Sequence, residues 1–82
     1  MIDIALANEA WEGVEAGTEA LVEAWLVREG ERVSAGQPVV KVVLVKTSYE
    51  IAAPANGIVD RILVPAEQTF ARGRSLGTLR EE

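Results

Sequence analysis

Apolar and polar positions alternate in short blocks along this chain, and turn residues separate the blocks. Val39-Val40-Lys41-Val42-Val43-Leu44-Val45 is valine-rich, and Ile58-Val59-Asp60-Arg61-Ile62-Leu63-Val64 is β-branched and stops at Pro65. Branched side chains are stiff at χ1 and pack well on a pleated surface, so both blocks read as strands. Gly30, Gly36, Gly57, Gly73 and Gly77 recur at the spacing of short strands and turns. The pattern predicts strands near 2–6, 20–27, 31–34, 37–44, 48–53, 57–64, 68–71 and 75–79.

One segment argues for helix on its own. Glu19-Ala20-Leu21-Val22-Glu23-Ala24-Trp25-Leu26-Val27-Arg28-Glu29-Gly30 has helical composition and ends on a glycine suited to a helix C-terminus. An internal repeat overrides it. At an offset of 37 residues, Val22-Glu23-Ala24-Trp25-Leu26-Val27 lies over Val59-Asp60-Arg61-Ile62-Leu63-Val64. Val33 then lies over Phe70, Gly36 over Gly73, Val39 over Leu76 and Val42 over Leu79. Since 57–64 is a strand by composition, 20–27 is expected to be one as well, with Trp25 in the core. Strand alternation fits this segment only in part, because Leu21, Trp25 and Val27 would share a face with Glu23. Two repeats are too few for a solenoid. They fit a pseudo-twofold domain whose halves bury their apolar faces against each other.

Eighty-two residues make one domain, 1–82, in which most apolar side chains must serve one core. At 49% hydrophobic and 26% charged, the chain reads as globular. No apolar run nears the roughly 20 residues that span a bilayer, and the start lacks the pattern of a signal peptide, so a cytoplasmic location is expected. Cysteine and histidine are both absent. That removes disulfides, the usual zinc ligand sets, thiol catalysis and histidine general-base chemistry, and no calcium-loop pattern is present. No metal site and no catalytic residue is expected. The net charge is -5, and residues 1–27 carry six acids and no Lys or Arg. Such a surface disfavours nucleic acid and anionic membrane; it would suit a basic partner, or simply keep the domain soluble.

Between the strands at 37–44 and 48–53 stands Lys46, in Val45-Lys46-Thr47-Ser48. A lysine there is either a solvated turn residue or a covalent attachment point. The other candidate region is the loop from Asn8 to Thr18, long and acidic, with Trp11 beside Glu9, Glu12 and Glu15. Trp11 either folds over the core edge or belongs to a recognition surface. Tyr49 reads as a cross-strand packing residue.

Several spaced elements resemble the biotinyl/lipoyl attachment domains. They are Leu26-Val27-Arg28-Glu29-Gly30-Glu31-Arg32-Val33, Ala35-Gly36-Gln37-Pro38-Val39, Lys46, Glu50-Ile51 and Ala53-Pro54-Ala55-Asn56-Gly57, with the glycine eleven residues after the lysine. The resemblance implies an all-β fold, a flattened barrel-sandwich of two four-stranded antiparallel sheets with pseudo-twofold symmetry. It implies a modified lysine at the tip of a tight hairpin in one sheet and the chain termini close together in the other. By the repeat, the same offset carries Lys46 back to Glu9.

The residues Lys46-Thr47-Ser48-Tyr49-Glu50-Ile51 are most similar to lipoyl domains of 2-oxo acid dehydrogenase acyltransferase components. The upstream flank departs, with Val45 where that branch usually has Asp and Val43 where it has Glu; the two valines put an apolar patch beside the hairpin. The methionines that flank the lysine in the biotinyl branch are missing, Met1 being the only methionine. The resemblance therefore implies lipoate on Lys46, with biotin, as in a carboxylase carrier, the alternative. An unmodified interaction module is the reading from another class.

The role implied is a non-catalytic swinging-arm carrier. Its implied partners are a lipoyl-attaching enzyme, a thiamine-dependent decarboxylase/dehydrogenase component, an acyltransferase core and dihydrolipoamide dehydrogenase. Trp11, Glu12, Glu15, Thr47 and Glu50 are the expected recognition residues. A catalytic lysine needs burial or cationic neighbours, which a hairpin tip does not supply.

Overall fold

The β-branched blocks form strands wherever the pattern predicts them. The computed structural model describes residues 1–81; Glu82, the last residue of the expected 1–82 domain, lies outside them. The strands are β1 (Ile2–Ile4), β2 (Ala20–Trp25), β3 (Arg32–Val33), β4 (Pro38–Leu44), β5 (Thr47–Ala52), β6 (Gly57–Ile62), β7 (Thr69–Phe70) and β8 (Gly77–Glu81). A 3-10 turn, Asn8–Trp11, interrupts the first loop. Two four-stranded antiparallel sheets result, in the orders β1-β8-β6-β3 and β5-β4-β2-β7. They enclose a core that includes Val22, Val40, Val42, Leu44, Val59, Leu76 and Leu79. The body is flattened, 37 × 22 × 17 Å.

The repeat is present in the pairing itself. Val22 faces Val42 in one sheet, and 37 residues on Val59 faces Leu79 in the other. Each of these ladders shifts register at the corresponding place, between Val22 and Ala24 and between Val59 and Arg61. The bulge at Glu23 resolves the imperfect alternation of β2. Ala20 and Val22 face inward, Leu21 and Glu23 outward, and after the extra residue Trp25 comes back opposite buried Val40. Burial of one face thus outweighs the helical composition of 19–30.

The two halves interlock. β3 of the first completes the sheet of the second, and β7 of the second completes the sheet of the first. The Gly30 N–H donates to the Val59 carbonyl at 2.7 Å, and its counterpart Glu67 N–H donates to the Val22 carbonyl at 2.7 Å.

The offset fails in one place. Glu9 sits on the 3-10 turn, not on a hairpin, so it is not the counterpart of Lys46. The strand that matches β5 is β1: Lys41 pairs with Glu50 as Thr78 pairs with Asp3. The counterpart of the β4–β5 tip is therefore the end of the other sheet, where β8 and β1 run side by side.

Trp25 is half-buried rather than central. Its indole N–H donates to the Val64 carbonyl at 2.8 Å, and its ring lies against Gly77, where an added Cβ would come within 3.1 Å of it.

Candidate functional site

The β4–β5 hairpin turns on two residues, Val45 and Lys46, between the paired Leu44 and Thr47. Leu44 is buried and anchors the end of the hairpin in the core. Of the two loop residues only Val45 has positive φ, 60°. That is the type II′ pattern, whose backbone twist suits a tight hairpin and whose first position is normally glycine. Lys46 follows at the apex, exposed. An exposed primary amine on an uncluttered tip is chemically what an attaching enzyme needs to form an amide with the carboxyl group of a prosthetic group, so the site fits either arm of the resemblance.

The apolar flank is real. Val45 is 66% exposed, and on the outer face of the sheet half-buried Val43 pairs with Leu21, itself exposed. The first loop bends back against this hairpin. Gly13, Val14, Glu15, Thr18 and Val45 line a groove of about 440 Å³ beside the tip. Positive φ at Gly13, 79°, and at Gly17, 89°, sets the curvature of that loop.

The structure separates the expected recognition residues. Glu15 reaches the groove beside the tip, and Thr47 is the first residue of β5. Glu50 lies three pairs further along, opposite Lys41, about 10 Å from Thr47 at the usual rise per residue. It shares a second groove, of about 510 Å³, with Leu6, Glu9 and Tyr49. Glu12 is exposed on the turn after the 3-10 segment. Trp11 is 3% exposed and packs edge-on against Phe70, centroids 6.0 Å apart. It belongs to the core, and its part in any surface is to hold the loop that carries Glu12 and Glu15.

The loop from Asn8 to Thr18, singled out in the sequence, does lie beside the hairpin; within it, nothing local marks Val14 and Thr18 as the residues that line the groove with Val45. The sequence marks Val45 only as an unusual flank. A two-residue loop demands positive φ at its first position, and that signal was available once the hairpin was placed.

Comparisons with known proteins agree with this geometry. The family model described as biotin-requiring enzyme, Biotin_lipoyl, matches residues 12–79. The chain is 33% identical over 64 residues to the dihydrolipoyllysine-residue acetyltransferase component of the acetoin cleaving system of Pseudomonas putida, and that match covers 78% of this chain and 17% of the relative. It is 36% identical over 56 residues to the biotin carboxyl carrier protein of acetyl-CoA carboxylase of Solanum lycopersicum, covering 68% of this chain and 80% of the relative. Among solved structures, the lipoyl domain of the 2-oxoglutarate dehydrogenase complex from Azotobacter vinelandii superposes with a TM-score of 0.80 at 27% identity, covering 99% of this chain and 98% of that one. With a matched family model over most of its length and Lys46 at a hairpin apex, the chain belongs to the biotin/lipoyl attachment family, whose domains are carriers of covalently bound lipoate or biotin.

Proposed function

We propose that the chain is a lipoyl carrier domain of a 2-oxo acid dehydrogenase complex, lipoylated on Lys46. The observation that carries the reading is Lys46 at the apex of a two-residue hairpin in a fold that matches a lipoyl domain over nearly its whole length. The absence of flanking methionines and the run Thr47-Ser48-Tyr49-Glu50 support lipoate over biotin. The biotin reading stands second, on the 36% identity to a biotin carboxyl carrier.

Attachment would join Nζ of Lys46, as an amide, to a lipoyl carboxyl carbon that the attaching enzyme has activated; the activating group leaves that carbon, the ammonium gives up two protons, and the lysine charge is lost. When bound, the dithiolane supplies the acyl- and electron-carrying chemistry. The chain's own work is presentation. β4 and β5 hold the apex rigid, and the interlocked sheets keep the body intact as it moves between sites. Tethering to a complex raises the local concentration to about millimolar for a short flexible linker. The proposed partners are a lipoyl-attaching enzyme, a thiamine-dependent component, an acyltransferase core and dihydrolipoamide dehydrogenase, all in the cytoplasm. Glu12, Glu15, Thr47 and Glu50 are the proposed recognition residues, with Glu50 set apart along β5.

The test is the intact mass of protein from its native host, with Lys46→Arg as control. An adduct of lipoyl mass, lost in Lys46→Arg, supports the proposal. A biotin-sized adduct overturns it in favour of a carboxylase carrier. An unmodified protein from a lipoylating cell overturns it in favour of an interaction module.

A further inference from the structure

Val45 is doubly out of place for a hairpin loop. It is a β-branched residue at φ 60°, and its apolar side chain is two-thirds exposed. Glycine would relieve both conditions. A strained residue at a functional site is a reason to ask what its side chain does. Val45 lines the groove of about 440 Å³ together with half-buried Val14, which is carried by the loop curved at Gly13 and Gly17. The volume lies within the roughly 300–1,000 Å³ of small-ligand clefts. The groove opens beside the one residue to which a prosthetic group is expected to be joined.

We infer that this groove is a resting seat for the acyl arm on Lys46, with Val14 and Val45 packing on its alkyl chain and dithiolane. The inference rests on the reading that Lys46 carries a lipoyl-type arm. The occupant is set by connectivity, because the arm starts one residue from Val45 and need only fold back along the hairpin. It is also set by chemistry. Acylation converts a cation into a neutral amide with a flexible hydrocarbon tail, and exposed apolar surface on that tail and on Val45 is removed from water together. A seated arm is protected between transfers and is released when a partner takes the tail.

The experiment uses the whole 82-residue chain with Nε-octanoyl-lysine incorporated genetically at position 46, which makes it independent of any attaching enzyme. The readout is NMR cross-peaks between the octanoyl methylenes and methyl groups of the protein. Cross-peaks to Val14 and Val45, lost in Val45→Asp while the amide spectrum stays folded, support the seat. An octanoyl chain with averaged, sharp resonances and no cross-peaks overturns it. Cross-peaks to Leu21 and Val43 instead overturn the groove in favour of the outer face of the sheet. Failure of lipoylation in the native host would overturn the function proposed above without altering this readout, so the two failures are distinguishable.

Discussion

Val45 concentrates the cost of this hairpin in one residue. A left-handed conformation costs an L-residue about 1–2 kcal/mol, and β-branching puts Val45 at the upper end. Glycine adopts positive φ at no steric cost, so Val45→Gly is expected to stabilise the unmodified domain by about 1 kcal/mol, read as a higher urea midpoint with an unchanged slope. A lower midpoint would mean that the contacts of the valine outweigh its strain. Trp11 marks the opposite case. Its ring is buried against Phe70, and Trp11→Ala is expected to cost about 3–5 kcal/mol, a large part of the 5–15 kcal/mol that holds a small domain folded. Glu12→Gln and Glu15→Gln, both on exposed side chains, should stay within about 0.5 kcal/mol by the same measurement. The sequence could not decide between the two readings of Trp11. The residue that buries it, Phe70, comes from a strand far along the chain, and no local pattern announces that meeting.

The strands were legible because the chain states its pattern twice. Residues 19–30 favour helix by composition, yet Ala20–Trp25 is a strand, and only the comparison with 57–64 foretold it. What the repeat could not give was the bulge at Glu23, which depends on pairing, and the identity of the eighth strand's partner, which depends on closure of the sheet by β1. Lys46 at a hairpin apex was readable from the flanking strands, whereas the groove beside it needed the path of the first loop. The repeat also makes a matched pair of Ala20 and Gly57: each faces the short strand of the other half, Ala20 opposite Phe70 and Gly57 opposite Val33. They are not interchangeable. A Cβ on Gly57 would run into the carbonyl oxygen of Arg80, which the adjoining strand holds rigidly. Gly57→Ala is therefore expected to destabilise by about 1–3 kcal/mol through overpacking, measured by thermal or urea unfolding. A neutral result would show that β6 and β8 can part enough to admit a methyl group.

Across the whole molecule, pseudo-symmetry in the backbone is joined to asymmetry in charge and surface. On one outer face Leu21 and Val43 sit side by side; at the matching positions of the other, Ile58 pairs with Arg80. The first 27 residues supply acids and no cations, and Glu15 of that stretch lines the groove beside the lysine apex. The end of the body that presents Lys46 is therefore the end with an acidic approach. Long-range attraction raises the rate of encounter and little else, and it is screened beyond about 10 Å at 0.1 M salt. If Glu12 and Glu15 steer a basic partner, kcat/KM for reductive acylation of the lipoylated domain should fall about tenfold between low and high salt, with kcat nearly constant. The Glu12→Gln, Glu15→Gln double variant should start lower at low salt and show a flatter dependence, meeting the parent protein at high salt. The double variant keeps the hairpin and the buried Trp11, so a change confined to the low-salt regime reports steering rather than loss of fold. A salt-independent kcat/KM that is the same for both proteins would reduce the acidic stretch to a surface that merely stays in water.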